Sequence, residues 1–407
     1  MSTAQWIILA VVVVVVVVVG LLIFRRVRYV RSLKQRGWTF DSTPQLPAVL
    51  DHLAPPFGIG FDRKPDELIM GTTSAGIPFR VFEYRYTGGG PTFDQRIASL
   101  GLPMALPDLF VTAGRARIGI TAPVVDIEPG LTVSADDAAY ARAIVFAARG
   151  AIQAFSGGER GVDLSIDGNH LVSLGAPKNP EELAAYLEAL APVAQAIAGA
   201  GGPYAIPVPP PAYGFYRRDW VWVDRDDSLI GKYGLTTAGH GHRTENVVRG
   251  ANDGLPLEAF VHRWETTRTE TSTDSEGRTT TRTVTDHHDE TVLAMAMPFD
   301  LPMLSVGAGG WGGQRVRFES EDFNDAFTVR TASPKFASDV IHPRQMEYLL
   351  RMRPPGFTID GQWIRFYPGQ HDTLLIGLCA DVAHGFLGRI PSFVWKDLAV
   401  TPPAFRV

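Results

Sequence analysis

The sequence predicts an α+β protein: an N-terminal transmembrane helix followed by two tandem copies of an antiparallel sheet domain with two helices each. Three observations lead there. Residues 6–24 form one uncharged, valine-rich run. A set of landmarks then recurs in the same order about 180–195 residues apart. Finally, 41 glycines and 30 prolines in 407 residues supply the turns of a strand-rich body, against a usual combined share of roughly 12%. No β-α-β alternation of the kind a parallel nucleotide-binding sheet needs is visible. A β-barrel closed by its C-terminal helix is the alternative architecture.

Segment 1–24 carries the expected span. Trp6 to Phe24 is 19 residues without a charge; as a helix it covers ~28 Å, close to the ~30 Å hydrocarbon core. Valine is a mediocre helix former in water, but lipid offers the backbone no other way to satisfy its polar groups. Trp6 suits an interfacial anchor. A cleaved signal peptide would need positive charge before the run and small residues after it. Met1 to Gln5 carries no charged side chain, and the run ends in Ile23-Phe24-Arg25-Arg26.

The juxtamembrane segment 25–36 is basic: Arg25, Arg26, Arg28, Arg31, Lys34 and Arg36, with no acid among them. All six follow the span, so the positive-inside rule places the N-terminus outside and the body in the cytoplasm, single-pass in the cell membrane. A lone cysteine, Cys379, agrees with a reducing compartment and excludes an intramolecular disulfide. The six cations read either as a grip on anionic headgroups, at ~1 kcal/mol each, or as topology signals alone. Without them the chain is six charges more acidic than its net -5, which argues against a nucleic-acid partner.

The body divides into domain 1 (37–198), a Pro/Gly-rich linker (199–217), domain 2 (218–400) and a tail (401–407). Arg36-Gly37-Trp38 opens the first copy as Arg218-Asp219-Trp220 opens the second. Gly76-Ile77-Pro78-Phe79 corresponds to Gly254-Leu255-Pro256-Leu257, Leu106-Pro107 to Leu301-Pro302, and Ile166-Asp167-Gly168 to Ile359-Asp360-Gly361. In the linker, Gly201-Gly202-Pro203 and Pro209-Pro210-Pro211 predict a semi-rigid extended chain. Within copy 1, strands are expected at 66–71, 77–86, 96–102 and 108–112. A helix follows at 137–155, capped by Ser134 and Asp137. Val162 to Leu174 reads as a hairpin turning on Asp167-Gly168. A closing helix starts at Asn179-Pro180-Glu181-Glu182, with a cap, a first-turn proline and early acids.

Gly-x-Pro-Phe with Phe-x-Tyr-x-Tyr at 76–86, the Leu-Pro pairs, Ser-Glu-Asp-Phe-Asn-x-x-Phe at 320–327 and Pro-Arg-x-Met at 343–346 carry a resemblance. With the basic-flanked span, they make the chain similar to uncharacterised single-pass membrane proteins of actinobacteria, of the domain-of-unknown-function kind. The resemblance implies membrane attachment and no particular activity.

Copy 2 departs from copy 1 by a projecting segment, 263–290, where copy 1 has only Thr87 to Gly90. Asp274-Ser275-Glu276-Gly277 suits a tight turn with a glycine bulge. Centring on it pairs residues whose numbers sum to 552, so Glu270 meets Arg282 and Arg263 meets Asp289. The same register pairs Thr267 with Thr285, Thr269 with Thr283, Thr271 with Thr281 and Thr273 with Thr279. Opposite charges and Thr–Thr pairs are favourable cross-strand partners, and a one-residue slip would lose them. With almost no apolar face, the ribbon is expected to stand in solvent, either as a docking arm for a protein partner or as a solvated excrescence.

Ligand-type side chains gather at His240, His242, His287 and His288. Histidines two apart on a strand share a face, so His240 and His242 are candidate ligands for one divalent ion. Glycine and charged neighbours suggest an exposed loop instead, and His287 opposite Glu265 is explained without a metal. Gly307-Ala-Gly309-Gly310-Trp-Gly312 matches a dinucleotide pattern in form only, because Arg315-Val-Arg317-Phe318 after it alternates like a strand rather than opening a helix. No Walker loop, nucleophile elbow, His-Glu-x-x-His or kinase signature occurs, and no cofactor or catalytic residue is assigned. The expected function is a membrane-tethered cytoplasmic binding or scaffold protein. The alternative is a small-molecule or lipid-binding protein, with an enzyme of unknown chemistry included, and a deep apolar cavity with a few inward polar groups would favour it.

Overall fold

The computed structural model describes residues 3–49, 51–88, 91–114, 117–155, 161–211, 213–273, 279–307 and 313–401. The turn at Asp274 to Gly277, the glycine-rich stretch after Gly307 and the tail beyond Thr401 lie outside the described residues. The chain forms two compact units. The first comprises Met1–Gly58, Asp62–Tyr86 and Thr92–Ala212, and the second Ile59–Phe61, Thr87–Pro91 and Tyr213–Val407.

The N-terminal half contains α1 (Thr3–Gln35), β1 (Thr39–Asp41), β2 (Phe61–Thr72), β3 (Pro78–Thr87), β4 (Thr92–Ala113), β5 (Val124–Val125), β6 (Leu131–Ser134), α2 (Ala138–Ala154), β7 (Asp163–Leu174) and α3 (Pro180–Gly201). The C-terminal half continues with β8 (Trp220–Arg225), β9 (His240–Asn252), β10 (Leu255–Thr273), β11 (Thr279–Val306), β12 (Gln314–Val316), α4 (Glu321–Ala326), β13 (Val329–Thr331), α5 (Pro334–Val340), α6 (Pro343–Met352), β14 (Phe357–Phe366), α7 (Thr373–Leu387) and α8 (Ser392–Asp397).

The two sheets share one topology. The first runs β1-β2-β3-β4-β6-β5 with β7 added on β4. The second runs β8-β9-β10-β11-β13-β12 with β14 added on β11. Both are seven-stranded, the strand pairs β1–β2, β9–β10, β11–β14 and β4–β7 are antiparallel, and neither sheet closes on itself, so the barrel alternative does not hold. Duplication extends to close backbone approaches. A Cβ on Gly71 would lie 2.6 Å from Cδ1 of Trp38, and one on Gly250 would lie 2.5 Å from Cδ1 of Trp220. Real Cβ atoms do not approach that closely, so each tryptophan can cross its neighbouring strand only over a glycine.

Several expectations change. The strands at 96–102 and 108–112 are one strand, β4, whose pairing with β7 shifts between Gly101 and Leu106 and again between Leu106 and Leu109. The irregularity accommodates Pro103 and Pro107, which have no N–H for a regular ladder. Val162 to Leu174 is no hairpin: β7 runs straight through Gly168, which takes φ +54° opposite Leu106. Gly361 does the same at φ +57° opposite Leu301. Asp-Gly here makes a kink within a strand, because the long partner strand offers pairing on both sides of it. Copy 2 holds five helices among the described residues, α4 to α8, rather than two. The closing helix of copy 1 runs to Gly201, so the linker begins later than 199.

In unit 1, α2 and α3 pack on one sheet face. Tyr140, Ile144, Ala148 and Ile152 of α2 and Leu183, Leu187 and Leu190 of α3 meet Val81, Leu100, Leu106 and Leu171. Asp137 caps α2 by accepting from the Ala139 and Tyr140 amides, and Asn179 caps α3 by accepting from Glu181 and Glu182. Residues Pro180 to Tyr204 are long and apolar enough to cross a bilayer, but this stretch is largely a core helix, with Leu183, Leu190 and Val193 sealed against the sheet and α2. Helix α1 is different. Val12 to Val19 and Leu21 to Phe24 are all exposed, whereas Leu33 at its far end is fully buried in the unit 1 core.

Candidate functional site

The face of the first sheet opposite α2 and α3 is covered by Ala48, Val49 and the chain from Asp51 to Phe57. Side chains on β3 alternate between the faces, so Phe79 and Val81 join the helical core while Arg80, Phe82 and Tyr84 point to the other side. Tyr84 donates to the Phe57 carbonyl at 3.2 Å, and Arg80 Nη1 donates to the Ala48 carbonyl at 2.8 Å. The kink at Gly168 resets the alternation of β7, so that Asp167 and His170, three residues apart, both reach the covering segment.

There Asp51, His52 and His170 converge: their ligand atoms all lie within 4.8 Å of one another. The His170 Nε2 to Asp51 Oδ2 distance is 3.1 Å. His52 is buried, its ring stacked on Phe57 at 4.6 Å and edge-on to His170 at 4.5 Å. The guanidinium of Arg80 enters this cluster, with Nη2 2.6 Å from Asp51 Oδ2, 3.3 Å from His170 Nε2 and 3.4 Å from His52 Nε2. On the far side of the His52 ring, Nδ1 lies 3.8 Å from Asp167 Oδ2. That oxygen accepts from the Leu53 and Ala54 amides at 2.9 and 3.0 Å.

Burial fixes most of the protonation states. It holds His52 well below its usual pKa, assisted by the positive charges of His170 and Arg80, so the ring is neutral. Burial also pushes Asp51 up, but hydrogen bonds from His170 and Arg80 outweigh it and hold that carboxyl far below the usual range. Asp167, enclosed and near Asp108, is pushed up to about 8 against the two amide bonds.

The duplicate provides a control. Trp363 stands two residues after Gly361, as His170 does after Gly168, and Glu258 follows the Gly-x-Pro-x landmark as Arg80 does. In that second face Tyr233 stacks on Phe260 at 5.8 Å and meets Trp363 edge-on at 4.9 Å. Tyr233 also donates to Glu258, which takes Lys232 at 2.9 Å and Arg249 at 2.9 Å. The same architecture is therefore stable with an aromatic cluster where copy 1 has histidines and aspartates, and the polar cluster is not a requirement of the fold.

The residues singled out from sequence are placed as follows. The ribbon has the expected register, including Thr267–Thr285, Thr269–Thr283, Thr271–Thr281, Thr273–Thr279 and Arg263–Asp289. Arg282 donates to Glu270 at 2.6 Å, and Thr267, Thr269, Thr271, Thr279, Thr281, Thr283 and Thr285 are exposed. The four candidate histidines separate into two groups. His240 and His287 flank Glu265, at 3.8 and 3.3 Å. His242, two residues on, lies beyond Gly241 at φ +66° and instead stacks on His262 at 5.3 Å. His262 continues onto Trp264 at 4.9 Å, and Trp264 onto His288 at 5.2 Å. Of the basic flank, Arg26 pairs with Glu67 and lies over the Phe40 ring at 4.7 Å, and Arg36 caps back to the Ser32 carbonyl at 3.1 Å. Arg25, Arg28, Arg31 and Lys34 face outward. The cluster of Asp51, His52, Arg80 and His170 is not legible in the sequence, because its members lie up to 119 residues apart. One signal was available: aligning the copies sets His170 against Trp363.

No family model and no curated protein matches this chain. Among solved structures, the crystal structure of the mycobacterial trehalose monomycolate transport factor A, TtfA, aligns with 45% of this chain and 97% of its own, at 12% identity and a TM-score of 0.32. A likeness of that size carries no argument about fold or role.

Proposed function

We propose that the protein is a membrane-tethered docking module. Helix α1 crosses the cell membrane with its N-terminus outside, both sheet units stand in the cytoplasm, and the ribbon 263–290 receives a protein partner. The observation that carries this reading is α1 itself. Its uncharged stretch is exposed from Val12 to Phe24, and the same unbroken helix is built into unit 1 through Leu33 and through Tyr29, whose hydroxyl accepts from Arg96 at 3.0 Å. Burying those side chains in lipid removes apolar surface from water at roughly 25 cal/mol per Å², and the basic turn after them sets the direction.

Unit 2 holds an open hollow of about 300 Å³ beside Tyr233, Glu258 and Trp363, at the lower end of what a small ligand needs, whereas the sheet–helix core of unit 1 is filled. Its cavity, between Leu109, Ile144, Ile152 and Leu164, measures about 10 Å³, less than a drug-sized ligand needs by more than an order of magnitude. Photo-cross-linking in intact membranes from Thr271 and Thr281, with the exposed Arg142 on α2 as reference, tests the proposal. A discrete protein adduct from the ribbon positions alone is expected. Equal adducts from Arg142, or recovery of the intact chain in the soluble fraction, would refute it.

A further inference from the structure

Three donor atoms of unit 1 surround one point: His52 Nε2, His170 Nε2 and Asp51 Oδ2, and at that point sits the tip of Arg80. We propose that Asp51, His52 and His170 form a binding site for a divalent d-block cation of the zinc class, with Arg80 as the resident cation that the metal displaces.

The geometry fits. Zinc–ligand bonds of ~2.0–2.1 Å in a tetrahedral shell put neighbouring donor atoms about 3.3 Å apart. The His170–Asp51 pair is already at 3.1 Å, and the three donor atoms, all within 4.8 Å of one another, must close by up to about 1.5 Å to reach the zinc spacing. Two imidazoles and one carboxylate are a borderline donor set that favours zinc-like ions over calcium or magnesium, and three protein ligands leave a position open for water or a substrate atom. Asp167 Oδ2 lies 3.8 Å behind Nδ1 of His52, longer than a hydrogen bond, so it stands near the ring without fixing its tautomer. Asp167 is itself held by two backbone amides.

Arg80 completes the case. Its guanidinium places one positive group against all three donors, as a metal would, while its Nη1 stays on the Ala48 carbonyl. Its side chain is 20% exposed, so the tip has a way out to solvent. Metal entry expels the Arg80 tip from among the three donor atoms. The second copy, with Trp363 and Glu258 at the corresponding positions, lacks the donor set.

The test is cobalt and zinc titration of the full chain in detergent, read by cobalt d–d absorption and calorimetry, with circular dichroism as the fold control. One equivalent of cobalt is expected, displaced by zinc. His170→Gln and Asp51→Asn should each weaken binding at least tenfold. Arg80→Met should tighten binding, a result that a cluster built only to hold Arg80 would not give. A His240→Gln/His287→Gln protein should bind like the wild type. Equal cobalt spectra from His170→Gln and wild type, or no uptake by the folded wild type at about 1 mM cobalt, the weakest affinity of interest, would overturn the assignment. If Arg80→Met does not fold, the wild type against Asp51→Asn and His170→Gln decides alone. Metal binding and ribbon cross-linking are separate readouts, so failure of one leaves the other standing.

Discussion

His371 makes unit 2 acid-sensitive by an amount that can be worked out. The residue lies just ahead of α7, its ring stacked on Phe61 at 4.3 Å and its Nε2 on the Asn246 carbonyl at 2.7 Å. Burial pushes its pKa from 6.5 down to about 4, with the Asn246 hydrogen bond opposing only in part. The unfolded chain therefore binds a proton between pH 6.5 and 4 that the folded chain refuses. The stability from keeping His371 neutral is fully present above pH 6.5 and is lost as the pH falls toward 4. At ~1.4 kcal/mol per pKa unit, the loss is about 2 kcal/mol by pH 5 and ~3 kcal/mol by pH 4. His371→Gln keeps a donor for Asn246 but does not titrate. Denaturant unfolding from pH 7.5 to 4.5, followed by an acid-tolerant disulfide reagent on Cys379, measures both proteins. The wild-type advantage over His371→Gln should shrink by about 2 kcal/mol between pH 7 and 5. Parallel stability curves would refute the reasoning.

Cys379 itself is fully buried in α7, and burial pushes its thiol up to about 12. In the native protein at neutral pH it should resist alkylation that a free cysteine undergoes readily, and labelling at the free rate would remove it from the core. Gly71→Ala and Gly250→Ala should each cost about 1–3 kcal/mol by forcing a tryptophan off its strand, seen as matched shifts in the denaturant midpoint. Glu270→Arg sets like charges opposite each other at Arg282 and should speed amide exchange along the ribbon, and adding Arg282→Glu should restore protection. If the double variant exchanges as fast as the single, the pair does not hold the register.

Much of the fold was legible because its signals are local or repeated. The ribbon register follows from pairing charges and threonines within thirty residues or so of one another. The caps at Asp137 and Asn179 follow from residue type and position, and the duplication from landmarks whose order is preserved. What was not legible depends on a partner strand. Whether Asp167-Gly168 turns the chain or kinks it is decided by β4, which pairs with β7 on both sides of the glycine. Leu102-Pro103 and Leu106-Pro107 look like breaks between strands, yet an irregular stretch of the ladder absorbs both prolines. The cluster at Arg80 is a stronger case. Asp51, His52 and His170 are ordinary residues in their own neighbourhoods, and only the stacking of the covering segment on β3 and β7 brings their donor atoms together. The histidines that did attract notice share a short stretch of sequence, but Gly241 sends His240 and His242 to different neighbours.

The repeated halves belong to a single polypeptide, and that has a consequence for how they evolve. A homodimer of either half would display every feature twice, and a substitution useful at one copy would be imposed on the other. Joining the two halves in one message sets their stoichiometry at synthesis. Each half can then discard what its sibling retains. Among the described residues, one half carries the histidine–aspartate cluster where the other has aromatic packing, and the threonine ribbon grows from one half alone.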